Sequence, residues 1–345
     1  EGEYWSAPLP GEELVIEVSV PVDRMEDLEL LLTAVNHGYR GFFAQPNETA
    51  APSQSCNIDV VCPEGDPWRD QIRSTARIII SGRSGCSAQL LNNTADDGAP
   101  YLLTAQHCVE NASEAPTVVV FWNYESPTCG MLAGGSLTDN QSGSTLVSSY
   151  EWITGSDFTL VRLDDMPDPS FNVYYAGWDA TGNIPPGGVA IHHPEADEKA
   201  ISFDDDPHPK YNHYGNGSHQ WRVGEYELGT TEPGSSGGCI YDRSSQRCIG
   251  TLTGGTASCN DPHGPPAGYD FYGRMDVHWE GDGTPEGRLK DWLDPVGGGT
   301  TLVLDGRDWQ APTGSETWLI PAAASTPGVG TSNWKTQIVV TNPTG

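Results

Sequence analysis

The sequence predicts an all-β fold with one short helix near the end of its main domain. Short runs rich in β-branched and aromatic residues, such as "TARIIISG", "TVVVFWNY" and "GGVAIHHP", alternate with clusters of Gly, Pro, Asn and Asp. The 41 Gly and 27 Pro among 345 residues indicate many turns, and this pattern is typical of a sandwich or a barrel. Only "EGRLKDWLDP" has the pattern of an amphipathic helix.

Three regions are predicted along the chain. Residues 1–50 include "EELVIEVSVPV", which alternates like a strand, and the following "AQPNETAAPSQS" favours a linker or cleavage segment. Residues 51–310 form the main domain, where cysteines and aromatic residues are dense. Residues 311–345 begin a new β-like pattern, which indicates either the start of an appended module or a tail. The chain opens without Met and shows no signal peptide, so we expect a processed or excised segment.

The net charge of −30 limits the partners of the protein. It argues against nucleic acid, whose binding favours basic surfaces, and against anionic lipid surfaces. The apolar stretches are too short to span a bilayer. We expect the charge to serve mainly solubility, although it would also attract cationic substrates by long-range steering.

The cysteines favour disulfides and an oxidising compartment. Eight cysteines in a Gly-rich, β-rich chain form an even set. The alternative is structural zinc, which uses closely paired cysteines. Only Cys56 and Cys62 come near that spacing, so no zinc or other metal site is predicted.

Three short motifs carry residues suited to nucleophilic catalysis. They are "LLTAQHC" with His107, "GSDFTLVRL" with Asp157 and "TTEPGSSGGCIYD" with Ser236. An imidazole can deprotonate a serine hydroxyl, and a buried carboxylate can orient that imidazole. The Gly-rich loop can direct the N–H groups of Gly234 and Ser236 at one spot, as an oxyanion hole.

Each of these signals is weak when taken alone. A His after a strand, an Asp before one and a Gly-Ser run are each more often structural, and G-x-S-x-G also describes the nucleophile turn of α/β-hydrolases. That fold needs the order Ser, Asp, His and alternating helices. The order His, Asp, Ser in a helix-poor chain favours a double β-barrel protease instead.

These motifs resemble the chymotrypsin-like serine proteases, and the chain is similar in particular to the secreted lysyl endopeptidases of bacteria. The narrower resemblance covers about Cys56 to Pro295 and is carried by "SCNIDVVCPEGD", "LLNNTADDGAPYLLTAQHC", "VVFWNYESPTC", "YAGWD", "AIHHPEADEKAIS" and "RLKDWLDP". It implies two six-stranded β-barrels with a short C-terminal helix and β-like extensions at both ends. The first segment resembles the end of the propeptides of those enzymes, and the last resembles the start of a C-terminal β-module.

The resemblance also implies roles and pairings. His107 would be the base, Asp157 its orienting partner and Ser236 the nucleophile. The implied disulfides are Cys56–Cys259, Cys62–Cys129 and Cys86–Cys108, the last of which would clamp the loop of His107. The remaining pair, Cys239 and Cys248, flanks "IYDRSSQR", a hairpin-like stretch that a bridge could close.

A specificity pocket is implied by "YDFYGR" and "LTGGT". Asp270 would meet a cationic side chain and leave a neutral one facing an unpaired charge, while Thr253, Gly254 and Gly255 would form the wall. The lysyl endopeptidases have a His where this chain has Thr253, stacked on a Trp, and near "KYNHYGNGSHQW" we find His213 and Tyr214 but no clear Trp equivalent. Strict preference for Lys over Arg is therefore left open. Trypsin-type zymogens pair a new N-terminal amine with an Asp just before the nucleophile, and this chain has Ser235 there.

Two other stretches suggest metals at first sight. His192 and His193 are adjacent on a strand and face opposite sides, so they do not share an ion readily. "FDDDPHPKYNH" concentrates Asp204, Asp205 and Asp206, which could bind calcium, but a solvated acidic loop is the preferred interpretation. No cofactor is predicted.

The sequence thus predicts a secreted bacterial serine endopeptidase, a monomer that acts on polypeptides at Lys and, as the open alternative, Arg. The competing hypotheses are a catalytically idle protease fold kept for binding and a serine esterase.

Overall fold

The structure of the chain is a computed structural model, which describes residues 55–308 except 83, 214, 216, 218 and 260–267. It also describes short stretches at 4–6, 15–16, 18, 20–32, 34–35, 325–327 and 333–335. Contacts within the chain divide it into two units, Glu1–Trp309 and Gln310–Gly345. The three regions predicted from the sequence stay a prediction.

The first unit is built almost entirely of strands. In chain order they are β1 (Ile58–Asp59), β2 (Thr75–Ile80), β3 (Ser84–Leu91), β4 (Tyr101–Thr104), β5 (Val119–Phe121), β6 (Asn140–Ser142), β7 (Ser144–Tyr150), β8 (Phe158–Leu163), β9 (Tyr174–Tyr175), β10 (Trp178–Asp179), β11 (Gly188–His192), β12 (Ala200–Asp204), β13 (Lys210–Tyr211), β14 (Gln220–Val223), β15 (Cys239–Asp242), β16 (Cys248–Gly255), β17 (Asp270–Arg274), β18 (Val303–Leu304) and β19 (Arg307–Asp308). The α-helices are α1 (Arg69–Ser74), α2 (Met275–Glu280) and α3 (Lys290–Leu293). Short 3-10 helices lie at Val22–Asp27, Pro63–Trp68, Ala115–Thr117, Pro169–Phe171, Pro194–Ala196 and Pro285–Gly287.

The first sheet closes into a barrel. Its strand order is β6-β5-β2-β3-β4-β8-β7, so the two edges of the sheet are β6 and β7. Only Gly143, at φ +90°, separates these two strands in the chain. The edges therefore meet at one residue, and β6 and β7 act as a single bent strand of a six-stranded barrel.

The second sheet closes in a similar way. Its central order is β12-β11-β15-β16-β17-β14. After β14 the chain returns to β12, where Phe203 N donates to Leu228 O at 2.8 Å. Six strands thus form the second barrel, and β1, β10, β13 and β18 pair at its margins. The predicted all-β fold of two six-stranded barrels with a short C-terminal helix is confirmed.

Strand alternation divides the apolar side chains between two kinds of core. On β8, Val161 and Leu163 pack inside the first barrel, whereas Phe158 and Leu160 pack between the barrels. The second barrel has its own interior, which includes Trp221, Tyr226, Ile240, Leu252 and Tyr272. The core between the barrels fixes their contact, and the candidate site lies along that contact.

The terminal extensions differ from each other. In the N-terminal segment the described residues include a 3-10 helix at Val22–Asp27 and no strand, and Val15, Ile16 and Val18 are exposed. The β-like stretch expected at residues 12–22 lies partly outside the described residues. The second unit contains the antiparallel pair β20 (Ser325–Pro327) and β21 (Asn333–Lys335). In the described part of the chain no helix has the length and hydropathy to cross a bilayer.

Candidate active site

His107 and Asp157 form a direct pair on the first barrel. His107 lies in the turn after β4, and Asp157 directly precedes β8, which pairs with β4. His107 Nδ1 lies 2.9 Å from Asp157 Oδ2, and the backbone N–H of His107 donates to Oδ1 at 3.1 Å. The Asp157 side chain is fully buried while that of His107 is partly exposed. The carboxylate therefore holds the imidazole at Nδ1, so Nε2 is the ring nitrogen left to exchange a proton with another group.

The pKa of His107 lies above its ordinary value of 6.5. Burial would lower this pKa, but the hydrogen bond and the negative charge of Asp157 outweigh that effect. An imidazole with a raised pKa is a stronger base, and its protonated form is stabilised by the adjacent carboxylate. This is the electrostatic requirement for a base that must accept a proton during a reaction.

Residues of the second barrel hydrogen-bond to the main chain of Asp157 and to the side chain of Ser156. Thr251 Oγ1, on β16, donates to the carbonyl oxygen of Asp157 at 3.3 Å and lies 3.1 Å from His278 Nε2. His278 Nδ1 in turn lies 2.7 Å from Ser156 Oγ. Asp157 itself has φ of 62°, a left-handed conformation in which these contacts hold it. No local sequence pattern marks this support, because Thr251 is 94 positions from Asp157 and His278 is 122 positions from Ser156.

The loop around Ser236 is held against the first barrel. Ser236 is partly exposed, and its carbonyl oxygen accepts from Ser87 N at 2.8 Å and lies 3.8 Å from Cys108 Sγ. Ser87 Oγ donates to Gly234 O at 3.0 Å and accepts from His193 N at 2.9 Å. These contacts bring Ser236 beside the residue that follows His107.

Two glycines of this loop have no room for a side chain. A Cβ on Gly234, at φ +96°, would lie 2.3 Å from Ala196 N. A Cβ on Gly237, at φ +79°, would lie 2.5 Å from Ser87 O. The Gly-rich sequence is therefore needed for close packing of the loop as well as for its backbone angles.

The four disulfides are the pairs that the resemblance and the hairpin implied. They are Cys56–Cys259, Cys62–Cys129, Cys86–Cys108 and Cys239–Cys248. Cys86 lies on β3 and Cys108 follows His107, so this bridge fixes the turn of His107 to the strand that carries Ser87.

Asp270 lies at the start of β17 with only 1% of its surface exposed. Its Oδ2 accepts from Tyr226 Oη at 2.9 Å and from Thr231 Oγ1 at 2.5 Å. Gly255 is its partner across the ladder, and a Cβ there would lie 2.2 Å from Asp270 Oδ1. The carboxylate thus sits between the segment leading to the Ser236 loop and the end of β16. Burial raises its pKa from 3.8 to about 6, although both hydroxyl donors act to lower it.

A neighbouring cavity of about 170 Å³ lies on the other face of β17. Its described lining is His213, Gly254, Gly255, Thr256, Tyr269 and Phe271. His213 and Phe271 lie with ring centroids 4.0 Å apart. Because side chains alternate along a strand, Phe271 and Asp270 face opposite sides, and the carboxylate of Asp270 does not line this cavity. Of the wall predicted from the sequence, Gly254 and Gly255 line the cavity and Thr253 does not; Tyr214 lies outside the described residues.

In the acidic loop Asp204 is buried, whereas Asp205 and Asp206 are exposed. Asp204 and Asp206 approach Glu227, with a carboxylate oxygen of each within 4.8 Å of the others. Asp205 forms an ion pair with Arg243 instead. His192 and His193 have separate partners, Ser235 and the carbonyl of Asp197.

Comparison with known proteins decides the family. A family model described as "Lysyl endopeptidase, C-terminal domain" matches residues 50–273, which is more than half of the chain. The chain belongs to the lysyl endopeptidase family. The predicted resemblance is confirmed, and the match covers all three motifs that carry His107, Asp157 and Ser236.

The chain is also similar to individual proteins, over different shares of their length. A lysyl endopeptidase of Pseudomonas aeruginosa is 29% identical over 223 residues, which are 58% of this chain and 45% of that protein. The chain therefore matches less than half the length of this relative. A thermostable serine protease from an extremophilic microorganism has a TM-score of 0.43 at 14% identity, covering 59% of this chain and 92% of that one. The HtrA-type protease AlgW with a tripeptide has a TM-score of 0.38 at 16% identity, covering 59% of this chain and 56% of that one.

Proposed function

We propose that the chain is a secreted serine endopeptidase that cleaves polypeptides after Lys, with Arg as a second residue to be tested. The observation that carries the proposal is the buried Asp157 held 2.9 Å from His107 Nδ1, with the main chain of Ser236 packed beside Cys108. Four disulfides fit an oxidising compartment, which supports secretion.

The proposed reaction proceeds in two halves. Ser236 Oγ attacks the substrate carbonyl carbon as its proton moves to Nε2 of His107, and the resulting oxyanion accepts from the N–H groups of Gly234 and Ser236. His107 then gives that proton to the leaving nitrogen, and the C–N bond breaks to leave an ester on Ser236. Water, deprotonated by His107, hydrolyses the ester and restores the hydroxyl.

Asp270 supports the choice of a cationic side chain. A buried carboxylate whose pKa is raised by burial lacks compensating positive charge, and a lysine ammonium above it would supply that charge. A neutral side chain would leave the carboxylate unpaired, which disfavours its binding. Thr253 stands where the lysyl endopeptidases have a His, so Arg is tested beside Lys.

The test is activity of the full chain on matched substrates, with a fluorophosphonate probe for the nucleophile. We expect labelling at Ser236, loss of labelling in Ser236→Ala, and cleavage of lysyl amides well above norleucyl amides. A folded chain that is neither labelled nor active would favour the idle binding module. Cleavage of esters without amides would favour the esterase. Cleavage without preference for Lys or Arg would overturn the role of Asp270.

A further inference from the structure

The residue just before the proposed nucleophile is buried in a polar chain that runs through the second barrel. Ser235 is fully buried, and its Oγ accepts from Glu232 N at 3.1 Å and lies 2.8 Å from His192 Nδ1. His192 Nε2 lies 3.1 Å from Ser202 Oγ, and Ser202 Oγ donates to Thr230 O at 2.7 Å. His192 is 1% exposed, and both of its ring nitrogens are occupied by these serines.

The donors and acceptors of this chain allow one arrangement of protons. Ser202 gives its hydroxyl hydrogen to the carbonyl of Thr230, so it must accept from His192 Nε2–H. Nδ1 of a neutral imidazole is then an acceptor, and Ser235 Oγ–H donates to it. Each hydroxyl donates once and accepts once. Burial lowers the pKa of His192 to about 3, so the ring stays neutral at the pH of any protease assay near neutrality.

Ser235 is also the centre of the turn that shapes the loop. Its N–H donates to Glu232 O at 3.0 Å, and its carbonyl accepts from Gly238 N at 2.9 Å. Gly238 lies directly on His192, since a Cβ there would be 2.9 Å from the Cβ of His192. The side chain of His192 therefore supports the loop at Ser235 and at Gly238, on both sides of Ser236.

We propose that His192 is a positioning residue for the nucleophile: through Ser235 it holds the loop 232–238 in the conformation that aims Ser236 and the N–H groups of Gly234 and Ser236. The inference rests on the proposed function. Trypsin-type enzymes hold this position with a carboxylate paired to an N-terminal amine, whereas here neutral hydrogen bonds from inside the barrel do so. The loop would thus be formed without a newly cut N-terminus.

The decisive comparison is between two replacements of His192. Oδ1 of Asn occupies nearly the place of Nδ1 and can accept from Ser235, whereas Gln reaches toward the place of Nε2 and leaves Ser235 without its acceptor. We expect His192→Gln and Ser235→Ala to lower the rate of fluorophosphonate labelling and kcat for a lysyl ester by about 10- to 100-fold. His192→Asn should retain most of both rates, and KM should change less than threefold in all three. A role limited to packing predicts the opposite order, because Asn leaves the larger cavity.

The control is Ser144→Ala in the first barrel, where a buried serine donates to Ala115 O at 2.6 Å. It should lower the thermal midpoint about as much as Ser235→Ala while leaving labelling unchanged. Two results would overturn this inference while leaving the proposed function intact, provided that the wild type is labelled. One is a His192→Gln variant labelled as fast as the wild type. The other is a His192→Asn variant labelled more slowly than His192→Gln. A folded wild type that is not labelled would overturn the proposed function and this inference with it.

Discussion

Replacing Asp270 by Asn should stabilise the protein near neutral pH while removing the proposed preference for cationic substrates. The carboxylate is buried, and burial raises its pKa from 3.8 to about 6 in the folded chain. The native state therefore binds the proton more tightly than the unfolded state does. The contribution of Asp270 to the stability of the protein is therefore largest below pH 3.8. It is lost as the pH rises to about 6, where the carboxylate of the folded chain ionises.

The size of this effect follows from the two pKa values. A separation of about two pH units corresponds to roughly 3 kcal/mol of unfolding free energy at pH 7.5. Asn cannot ionise, so Asp270→Asn escapes this cost. The amide can still accept from Tyr226 and Thr231, although its NH2 group replaces an acceptor near Gly255. Placing an NH2 group there costs the same stability at every pH. The part of the variant's change in unfolding free energy that depends on pH therefore reports only the charge of Asp270.

The measurement is urea unfolding of the wild type and Asp270→Asn at pH 4 and pH 7.5. The variant minus wild-type difference should be more favourable at pH 7.5 than at pH 4 by roughly 2.4 kcal/mol, because at pH 4 the unfolded carboxyl is already more than half ionised. Asp294→Asn provides a control of opposite sign. Burial would raise the pKa of Asp294, but hydrogen bonds from Thr301 N, Thr94 and Gly297 N bring it below its ordinary value. The substitution of Asp294 should therefore cost more at pH 7.5 than at pH 4.

Activity supplies the second half of this prediction. At pH 7.5, kcat/KM of Asp270→Asn for a lysyl ester should fall by about 30-fold to 4,000-fold, the range for removing one partner of a buried charge pair. For a norleucyl ester it should fall little or rise. A stability difference independent of pH would refute the raised pKa, and an unchanged lysyl preference would refute the pocket role of Asp270.

Three further perturbations test the site and its supports. Asp157→Asn should lower kcat/KM by about 10⁴ with little loss of folded protein, because the wrong imidazole tautomer is held; circular dichroism and ester kinetics check it. Replacing Cys86 and Cys108 together by Ser should cost roughly 3 kcal/mol in urea unfolding, since their sequence separation is 22; an unchanged midpoint would contradict this. Trp5→Ala should lower the thermal midpoint because Trp5 packs on the outer face of the first barrel, whereas Tyr4→Ala, at a residue 81% exposed, should not.

The sequence predicted the strands of the barrels and the candidate catalytic residues for different reasons. On β2, Ala76, Ile78 and Ile80 alternate with outward residues, so period and composition identify the strand. His107 and Asp157 were singled out because each follows or precedes such a run in a recognisable order. Disulfide pairing came mainly from the resemblance, since eight cysteines allow many pairings.

The rest of the site depends on contacts that no spacing encodes. Ser87 reaches Gly234 across 147 positions and His192 reaches Ser235 across 43. Ser87, His192 and Thr251 have ordinary strand neighbours, so no local sequence pattern marks them as supports of the site. The alternation at residues 12–22 lies partly outside the described residues, so the strand expected there stays a prediction.

Closure of the barrels also explains why the candidate site spans both of them. The first barrel supplies His107 and Asp157, and the second supplies the loop of Ser236. Ser87, on the outward face of β3, joins the two by donating its N–H to Ser236 O and its hydroxyl to Gly234 O. The distance between His107 and Ser236 thus depends on how the barrels dock, and that docking is set by the core between them. A cavity made in that core, far from the reacting atoms, should therefore slow labelling of Ser236 by misplacing one half of the site relative to the other.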